Sequence, residues 1–234
     1  MRETQILPLV VIALVAALVS VVAMWSMDRA GQGGDLTNTV RGTDAFIEWK
    51  LVTTWPKGLP GLGAAPENFA RRVNEASGGR LRIKVFGAGE IVPPFEVFDA
   101  VSRRVAEAGH GASYYWKGKI PAAVFYTAVP FGMTAQEANG WLHYGGGLAL
   151  WRELYAPFGV VPFAGGSTGV QMAGWFNKRL NSREDLAGLK MRIPGLAGEV
   201  FDAAGGSAVR IAGGEVYTSM QTGVIDAVEW VGPY

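Results

Sequence analysis

Apolar and polar positions follow two spacings along this chain, one typical of strands and one typical of helices. Leu81–Phe86 alternates apolar and polar residues, which predicts a half-buried strand. Ala64–Ala76 places Phe69 and Val73 four residues apart and ends before two glycines, which predicts an amphipathic helix. Because strands and helices with these patterns alternate along the sequence, it predicts an α/β fold.

The same reasoning assigns most of the remaining chain to strands and helices. Thr134 and Glu137 have the spacing of a capping box, which predicts the start of a helix that reaches Tyr144. Further strands are predicted at 46–53, 160–163, 168–177, 191–193 and 224–231. Further helices are predicted at 93–104, 183–188, 195–204 and 213–222, with another that ends at Tyr155.

An almost uninterrupted apolar run occupies residues 6–25 and follows a single positive charge, Arg2. This arrangement is typical of a secretory signal peptide. The run is also long enough to span a bilayer, for which about 20 apolar residues suffice. The sequence therefore predicts export. Residues 1–27 are either a cleaved signal peptide or a retained anchor, and residues 28–44 are a polar, glycine-rich linker.

Composition narrows the classes of function. The formal net charge is +1, so there is no electrostatic reason to expect a nucleic-acid partner or an anionic membrane surface. The chain has no cysteine, which excludes disulfides, thiolate metal sites and cysteine nucleophiles. His110 and His143 stand alone in the sequence, without a Ser-His-Asp arrangement around them. Both histidines are therefore interpreted as structural.

Three polar residues stand within otherwise apolar, strand-like segments: Gln171, Arg192 and Glu229. An arginine can hold a carboxylate through two parallel hydrogen bonds. Carboxylate, amide and carbonyl oxygens are the donors that a hard cation needs. The pattern alone leaves two interpretations for each residue. Arg192 and Glu229 suit either a solvent-facing strand position or a cleft, and Gln171 suits either a bond to neighbouring backbone or a ligand.

Three further candidates come from aromatic segments. Tyr114 and Tyr115 lie in the segment SYYW at residues 113–116, which suits either the wall of a cleft or an aromatic core beneath a loop. Asn177 ends the segment WFN, where a turn or a cap is the alternative to contact with a ligand.

These segments occur in an order that resembles one protein family. The resemblance covers residues 46–234. It includes KLVTTWP at 50–56, GAGE at 87–90, HGASYYWKGK at 110–119, AVPFGM at 128–133, GVQMAGWFN at 169–177, KMRIPG at 190–195 and IDAVEWVGPY at 225–234. Together they resemble the solute-binding subunits of TRAP transporters, the DctP family, and most closely the type that captures α-keto acids together with sodium.

The resemblance implies a two-domain α/β periplasmic-binding-protein architecture, type II-like, that is truncated at its C-terminus. It places a first domain at 45–167 and a second, ligand-clamping domain at 168–234. Both domains would be incomplete, because in the family their closing strands and helices come from later sequence.

The resemblance also implies residue roles. Arg192 would clamp the ligand carboxylate, and the backbone carbonyl of Trp230 would face the ion. The implied substrate contacts are Arg192, Gln171, Tyr114, Tyr115 and Asn177. The implied metal ligands are Gln171, Glu229 and Trp230.

The implied function is binding rather than catalysis. A small monocarboxylate, in particular a 2-oxo acid such as pyruvate, would be captured in the periplasm with a bridging sodium ion, or calcium in its place. It would then be delivered to membrane permease subunits, and a longer form is compatible with a homodimer. Two alternatives remain open. One is a binding subunit for lactate or another organic acid with calcium. The other is an α/β hydrolase or isomerase that uses Glu229 or Glu215 as a base.

Overall fold

Two β-sheets, with helices between their strands, make up residues 46–232, the part of the chain that the computed structural model describes. The predicted α/β class is therefore confirmed. The predicted signal peptide or anchor at 1–27 and the predicted linker at 28–44 lie outside the described residues. Between residues 46 and 232, no helix combines the length and the apolar character needed to cross a membrane.

The first sheet has three parallel strands. Strand β1 (Ile47–Thr53) is central, with β2 (Leu81–Phe86) on one side and β3 (Ala108–His110) on the other. Helix α1 (Ala64–Ala76) lies between β1 and β2 in the chain, and α2 (Val97–Ser102) lies between β2 and β3. Parallel neighbours need crossover connections of this kind, so the predicted alternation of strands and helices has its expected consequence.

Two helices follow the first sheet. Helix α3 (Ala135–Tyr144) begins at the predicted capping box. The hydroxyl of Thr134 accepts a hydrogen bond from the Glu137 N–H at 3.4 Å, and the Glu137 carboxylate accepts one from the Thr134 N–H at 2.8 Å. This prediction is confirmed. Helix α4 (Gly147–Tyr155) comes after a glycine turn.

An aromatic core joins α4 to the first sheet. Phe98 of α2 lies edge-on to Tyr155, with ring centres 5.0 Å apart. The ring of Tyr126 stacks on that of Trp151 at 4.8 Å. Aromatic side chains bury large apolar areas, so this cluster anchors the segment that leads away from the first sheet.

The second sheet has four short strands in the order β4-β7-β5-β6. They are β4 (Trp175–Phe176), β5 (Lys190–Arg192), β6 (Ser207–Val209) and β7 (Ala227–Val228). Strand β4 is antiparallel to β7, and the other neighbours are parallel. Helix α5 (Gly195–Ala203) connects β5 to β6, and α6 (Val216–Gln221) lies between β6 and β7.

Two predicted strands before the second sheet are wrong in extent. Residues 160–163 form no strand, and the strand predicted at 168–177 is reduced to β4 and one isolated bridge. Glycines explain the second case. Gly169 and Gly174 have φ angles of 74° and 151°, which interrupt an extended run of L residues.

The remaining strand boundaries also differ. The strand predicted at 191–193 begins one residue earlier, and the one predicted at 224–231 is reduced to β7. Strand β6 was not predicted, because three residues are too few to show alternation.

Three predicted helices begin as, or consist of, tighter 3₁₀ turns. The helix predicted at 93–104 is a 3₁₀ turn at Pro94–Glu96 followed by α2, and the one at 213–222 is a 3₁₀ turn at Gly213–Glu215 followed by α6. The helix predicted at 183–188 is only a 3₁₀ turn at Arg183–Leu186. Short 3₁₀ turns are common at helix ends and in connections, and sequence periodicity does not distinguish them from helix.

Strands β5 and β7 bring two candidate residues to one edge of the second sheet. Arg192 lies opposite Val228 in the register of the two strands. The N–H of Glu229 then donates to the Arg192 carbonyl at 2.8 Å. Both residues therefore lie at the carboxyl edge, where open α/β sheets bind ligands. All strands of the first sheet come before residue 167 in the chain, and all strands of the second sheet come after residue 168. The domain boundary between residues 167 and 168 stays a prediction.

The close packing of the second sheet predicts that Gly174→Ala is destabilising. An added Cβ would lie 2.6 Å from the Val228 carbonyl oxygen and 2.5 Å from the methyl of Met191, at a φ that L residues avoid. We expect a loss of about 1–3 kcal/mol in the free energy of unfolding, the usual cost of overpacking. Urea denaturation measures it.

Gly140→Ala is the matched control. Gly140 lies inside α3, and in the described chain nothing lies within 4 Å of an added Cβ. Alanine there should stabilise the protein by about 0.5–1 kcal/mol because it is the better helix former. Equal effects of the two substitutions would contradict the assigned packing of Gly174.

Candidate binding site

A buried arginine occupies the end of β5. Arg192 is 2% exposed. Its Nη1 donates to the backbone carbonyl of Glu229 at 2.9 Å and to the carboxylate Oε2 of Glu229 at 3.1 Å. Its Nη2 donates to the Tyr115 hydroxyl at 3.0 Å, and its Nε donates to the Ile211 carbonyl at 3.2 Å. A charge leaves water only when it is paired and hydrogen-bonded, so of the two interpretations of Arg192 the solvent-facing one is excluded.

The charge partner of Arg192 is a buried carboxylate. Glu229 follows β7 directly and is 8% exposed. Burial raises the pKa of Glu229 above its usual value, and the positive charge of Arg192 opposes this shift. The carboxylate has therefore lost solvation that one guanidinium does not fully replace. Further positive charge beside Glu229 would stabilise its ionised form.

Two indole rings form an apolar wall beside this pair. The Arg192 guanidinium lies 4.8 Å from the centre of the Trp230 ring, which is within range of a cation–π contact. Trp230 also packs against the buried cluster of Trp55, Ala112 and Tyr115, in which Trp55 follows β1. A Cβ on Gly213 would lie 2.6 Å from the edge of the Trp230 ring, so a glycine is needed there. This wall lowers the local polarity and strengthens the charge pair.

Two tyrosines approach the pair from the segment after β3. Tyr115 is buried, and its ring centre lies 4.7 Å from that of Tyr114 in an edge-to-face arrangement. Desolvation raises the pKa of Tyr114 well above its usual value, and the charge of Glu229 adds to the effect while Arg192 opposes it. The Tyr114 hydroxyl is therefore protonated at neutral pH and able to donate a hydrogen bond. Both tyrosines lie on a 3₁₀ turn, Ser113–Trp116.

The backbone of Gln171 lies near the segment that carries Glu229. It forms an isolated antiparallel bridge with Val231, two residues after Glu229. Its side chain is exposed, and its Nε2 donates to the Thr168 hydroxyl at a long 3.4 Å. The backbone therefore brings Gln171 near the Glu229 segment, whereas its amide contacts another loop residue.

Asn177 lies at the other end of the second sheet. Its backbone N–H donates to the Asp226 carbonyl at 3.0 Å, and its side-chain amide donates to the Asp226 carboxylate at 3.4 Å. The same carboxylate accepts the N–H of Lys190 at 3.0 Å. Asp226 precedes β7 and Lys190 begins β5, so Asn177 is at the amino edge, opposite Arg192. The structure does not bring Asn177 together with the other predicted site residues.

The cluster of Arg192, Glu229, Tyr115, Tyr114 and Trp230 is suited to a small carboxylate. A guanidinium has five N–H donors, and the four bonds above use four of them. Among residues 46–232 no acceptor is found for the second Nη2–H, which can therefore serve a ligand oxygen. A carboxylate that used both of its oxygens would have to displace a present acceptor, which is Ile211, Tyr115 or Glu229.

A cation at this site would depend on few protein oxygens. In residues 46–232, no three side chains from His, Asp and Glu converge on a metal position. The Glu229 carboxylate and the Tyr115 hydroxyl are hard oxygen donors of this cluster. Such a set suits a hard cation that also takes oxygens from its ligand.

Arg210 and Trp55 lie near the site but were not among the residues predicted from the sequence. Arg210 directly follows β6, next to the strand that carries Arg192. A signal was present: Val209-Arg210-Ile211 repeats the pattern of Met191-Arg192-Ile193. Trp55 carried no comparable signal, because the cluster that it forms with Ala112 and Tyr115 joins distant parts of the chain.

His110, at the end of β3, borders the same region. Its ring lies edge-on to Trp55, with ring centres 5.1 Å apart. Burial lowers the pKa of His110 from 6.5 to about 4. The imidazole is therefore neutral at physiological pH and contributes no charge to the site.

Comparison with protein families identifies one match that covers most of the chain. Residues 51–234 match the model of the DctP family, described as bacterial extracellular solute-binding protein, family 7. This range includes the second sheet, the first sheet except the start of β1, and every candidate residue of the site.

Individual relatives agree with this match. The chain is 48% identical over 198 residues to the monocarboxylate 2-oxoacid-binding periplasmic protein of Nostoc sp.. Its structure is similar to a TRAP periplasmic solute-binding protein from Pseudoalteromonas atlantica with bound sodium and pyruvate, at 48% identity and a TM-score of 0.78. It is also similar to one from Colwellia psychrerythraea with bound calcium and pyruvate, at 47% identity and a TM-score of 0.77.

The matches cover much of this chain and about half of the relatives. The Nostoc alignment includes 85% of this chain and 54% of the relative. The two structural alignments each include 80% of this chain and 57% of the other.

The burial of His110 predicts a specific dependence of stability on pH. Between pH 6.5 and about 4, the unfolded chain binds a proton on His110 that the folded protein does not. The unfolded state binds more protons there, so this stabilising contribution is complete above pH 6.5 and declines as pH falls towards about 4. Its full size is about 3 kcal/mol, from 1.36 kcal/mol per pKa unit.

Histidine NMR titration of the folded protein tests this directly, with His143→Gln used to assign the two imidazole signals. We expect the His110 signal to titrate near pH 4. In urea denaturation, His110→Gln should reduce the change of stability between these pH values. A His110 imidazole that titrates near its ordinary pKa would contradict the assigned burial.

Proposed function

The chain belongs to the bacterial extracellular solute-binding proteins of family 7 (DctP), and on that basis we propose that it captures a 2-oxo acid such as pyruvate together with a cation. It acts in the periplasm and delivers the acid to the membrane permease subunits of a TRAP transporter. The family consists of solute-binding proteins and not of enzymes. Membership in it therefore excludes a hydrolase or isomerase that uses Glu229 or Glu215 as a base.

The observation that carries this proposal is the buried Arg192 at the carboxyl edge of the second sheet. Its guanidinium is held by Glu229, Tyr115 and Ile211 with one Nη2–H left for a ligand. In our proposal this N–H and the positive charge receive the carboxylate of the acid. Charge-assisted bonds of this type are strong in surroundings of low polarity.

A cation next to Glu229 completes the proposed site. The donors that would hold it are the Glu229 carboxylate, the carbonyl of Trp230 and the amide of Gln171. Burial of Glu229 supports this role, because a cation would supply the positive charge that the desolvated carboxylate lacks. The Gln171 amide would first have to leave its contact with Thr168. The cation would neutralise charge and bridge the acid to the protein.

The solved relatives support a 2-oxo acid as the ligand, and they give two candidates for the cation. The solved relatives from Pseudoalteromonas and Colwellia hold pyruvate with sodium and with calcium, respectively. We propose sodium first, with calcium as the second candidate. Lactate or another small organic acid is the alternative ligand, because a hydroxyl oxygen can replace a keto oxygen at a hard cation.

Tyr114 and Tyr115 form the proposed wall of the cleft, and Tyr114 supplies a neutral donor to the ligand. Asn177 is the weakest of the proposed contacts, since it is held by Asp226 at the other edge. The proposal includes two lobes, at 45–167 and 168–234. It also includes a dimer of a longer form.

We predict that Arg192→Lys does not preserve pyruvate binding. An ammonium group has three donors, which cannot replace four protein bonds and still serve a ligand. Truncating one partner of a buried charge pair typically costs about 2–5 kcal/mol, so affinity should fall at least about thirtyfold. Calorimetric titration with pyruvate in sodium buffer measures it.

Lys190→Ala, on the exposed residue that begins the same strand, is the matched control and should bind like the wild type. Circular dichroism must show that both variants are folded. A folded Arg192→Lys protein with wild-type affinity would remove the guanidinium from the binding site.

We predict that Glu229→Gln makes pyruvate binding need more sodium. The amide keeps the shape of the side chain and removes the charge that would attract the cation. Titrations of pyruvate at several sodium concentrations should give a higher half-effective concentration than in the wild type. Glu75→Gln, on an exposed carboxylate of α1, is the control. Binding that ignores sodium in both proteins would refute the cation bridge.

A further inference from the structure

Two arginines hold a single tyrosine from opposite ends. Arg192 donates from Nη2 to the hydroxyl of Tyr115 at 3.0 Å. Arg210 donates from Nη1 to the backbone carbonyl of the same Tyr115 at 2.9 Å. The two arginines come from the ends of neighbouring strands, β5 and β6, whereas Tyr115 belongs to the segment that follows the first sheet. These contacts therefore tie the second sheet to that segment.

Arg210 is also connected to the aromatic ring of Tyr115, through the ring of Phe95. Its guanidinium lies 4.5 Å from the centre of the Phe95 ring. Phe95 in turn packs against the Tyr115 ring, with centres 4.9 Å apart. The backbone of Tyr115 and the surface beneath its ring are thus both set by one exposed arginine.

The position of Tyr115 decides the orientation of Arg192. The guanidinium of Arg192 is planar, so its bond to the Tyr115 hydroxyl fixes the direction of the remaining Nη2–H. None of the hydrogen bonds of Arg210 found in residues 46–232 goes to Arg192 or Glu229. The side-chain route from Arg210 to the guanidinium of Arg192 passes through Tyr115. A second route runs along the backbone to Ile211, whose carbonyl accepts Arg192 Nε, and removal of the Tyr115 hydroxyl leaves that route intact.

We propose that Arg210 is a positioning residue that sets affinity for the ligand by holding Tyr115, and through it Arg192, without touching the ligand. This inference rests on the proposed function for its binding readout. This role differs from that of a second carboxylate clamp, because the observed contacts of Arg210 are its Nη1 bond to the Tyr115 carbonyl and its contact with the Phe95 ring.

A double-mutant cycle with pyruvate in sodium buffer tests this route. Arg210→Ala should raise the Kd for pyruvate about tenfold, as expected for loss of a charge-assisted hydrogen bond. Tyr115→Phe keeps the ring and removes the hydroxyl that reaches Arg192. In that background, Arg210→Ala should change the Kd by less than about twofold, because residues that act through one contact are not additive.

Arg183→Ala is the matched control. Arg183 also donates two side-chain hydrogen bonds to backbone carbonyls, those of Ala203 and Ala204 at the end of α5. Its loss removes the same charge without touching Tyr115, so the Kd should stay at the wild-type value. Equal tenfold losses from Arg210→Ala with and without the Tyr115 hydroxyl would overturn the proposal, as would a similar loss from Arg183→Ala.

Amide hydrogen exchange of the ligand-free protein provides a readout that does not need a ligand. Arg210→Ala should accelerate exchange in the peptide over 113–117, where the N–H groups of Tyr115 and Lys117 close the 3₁₀ turn. Arg183→Ala should not. If the wild type binds no 2-oxo acid, the proposed function fails, and this comparison still decides the role of Arg210. Unchanged exchange in Arg210→Ala would overturn it.

Discussion

The buried pair of Arg192 and Glu229 is the constraint on which the arrangement of the site depends. Two charges removed from water are tolerated only if their hydrogen bonds are satisfied, and breaking such a pair leaves a costly unpaired charge. The partners of Arg192 come from the end of β7, the segment after β6 and the turn after β3. The pair therefore requires the parallel register of β5 and β7 and the approach of the first sheet's segment to the second. The presence of a buried ion pair is by itself weak evidence for a gain in stability, because desolvation offsets the attraction between the charges.

The surroundings of the pair suit the proposed capture of a small acid. Trp230 and Trp55 keep the wall apolar, which strengthens electrostatic attraction to an incoming acid. Glu229 is desolvated by the same burial, so it gains most from a cation. An anion for Arg192 and a cation for Glu229 would each relieve a cost that the protein bears alone. The proposed co-binding of an acid and a metal ion would suit this arrangement of charges, and two solved relatives hold pyruvate with sodium or with calcium.

Local features of the fold could be predicted from the sequence, whereas contacts between distant segments could not. The capping box at Thr134 and the alternating strand Leu81–Phe86 depend on residues within a few positions, and both are confirmed. The strand predicted at 168–177 failed because glycines at positive φ interrupt it. Arg192 and Glu229 were identified as candidates, but their pairing spans 37 positions and needs the sheet register. The contact of Arg210 with Tyr115 could not be predicted, because the two residues lie 95 positions apart along the chain.

The most direct test of the central claim is a crystal structure of the protein grown with pyruvate and sodium. The claim is that Arg192 receives the carboxylate of a 2-oxo acid while Glu229 faces the cation. We expect electron density for pyruvate with a carboxylate oxygen within hydrogen-bonding distance of Nη2 of Arg192. A cation should lie against the Glu229 carboxylate. Pyruvate bound elsewhere, or an unchanged Arg192–Glu229 pair with neither pyruvate nor a cation beside it, would contradict the claim.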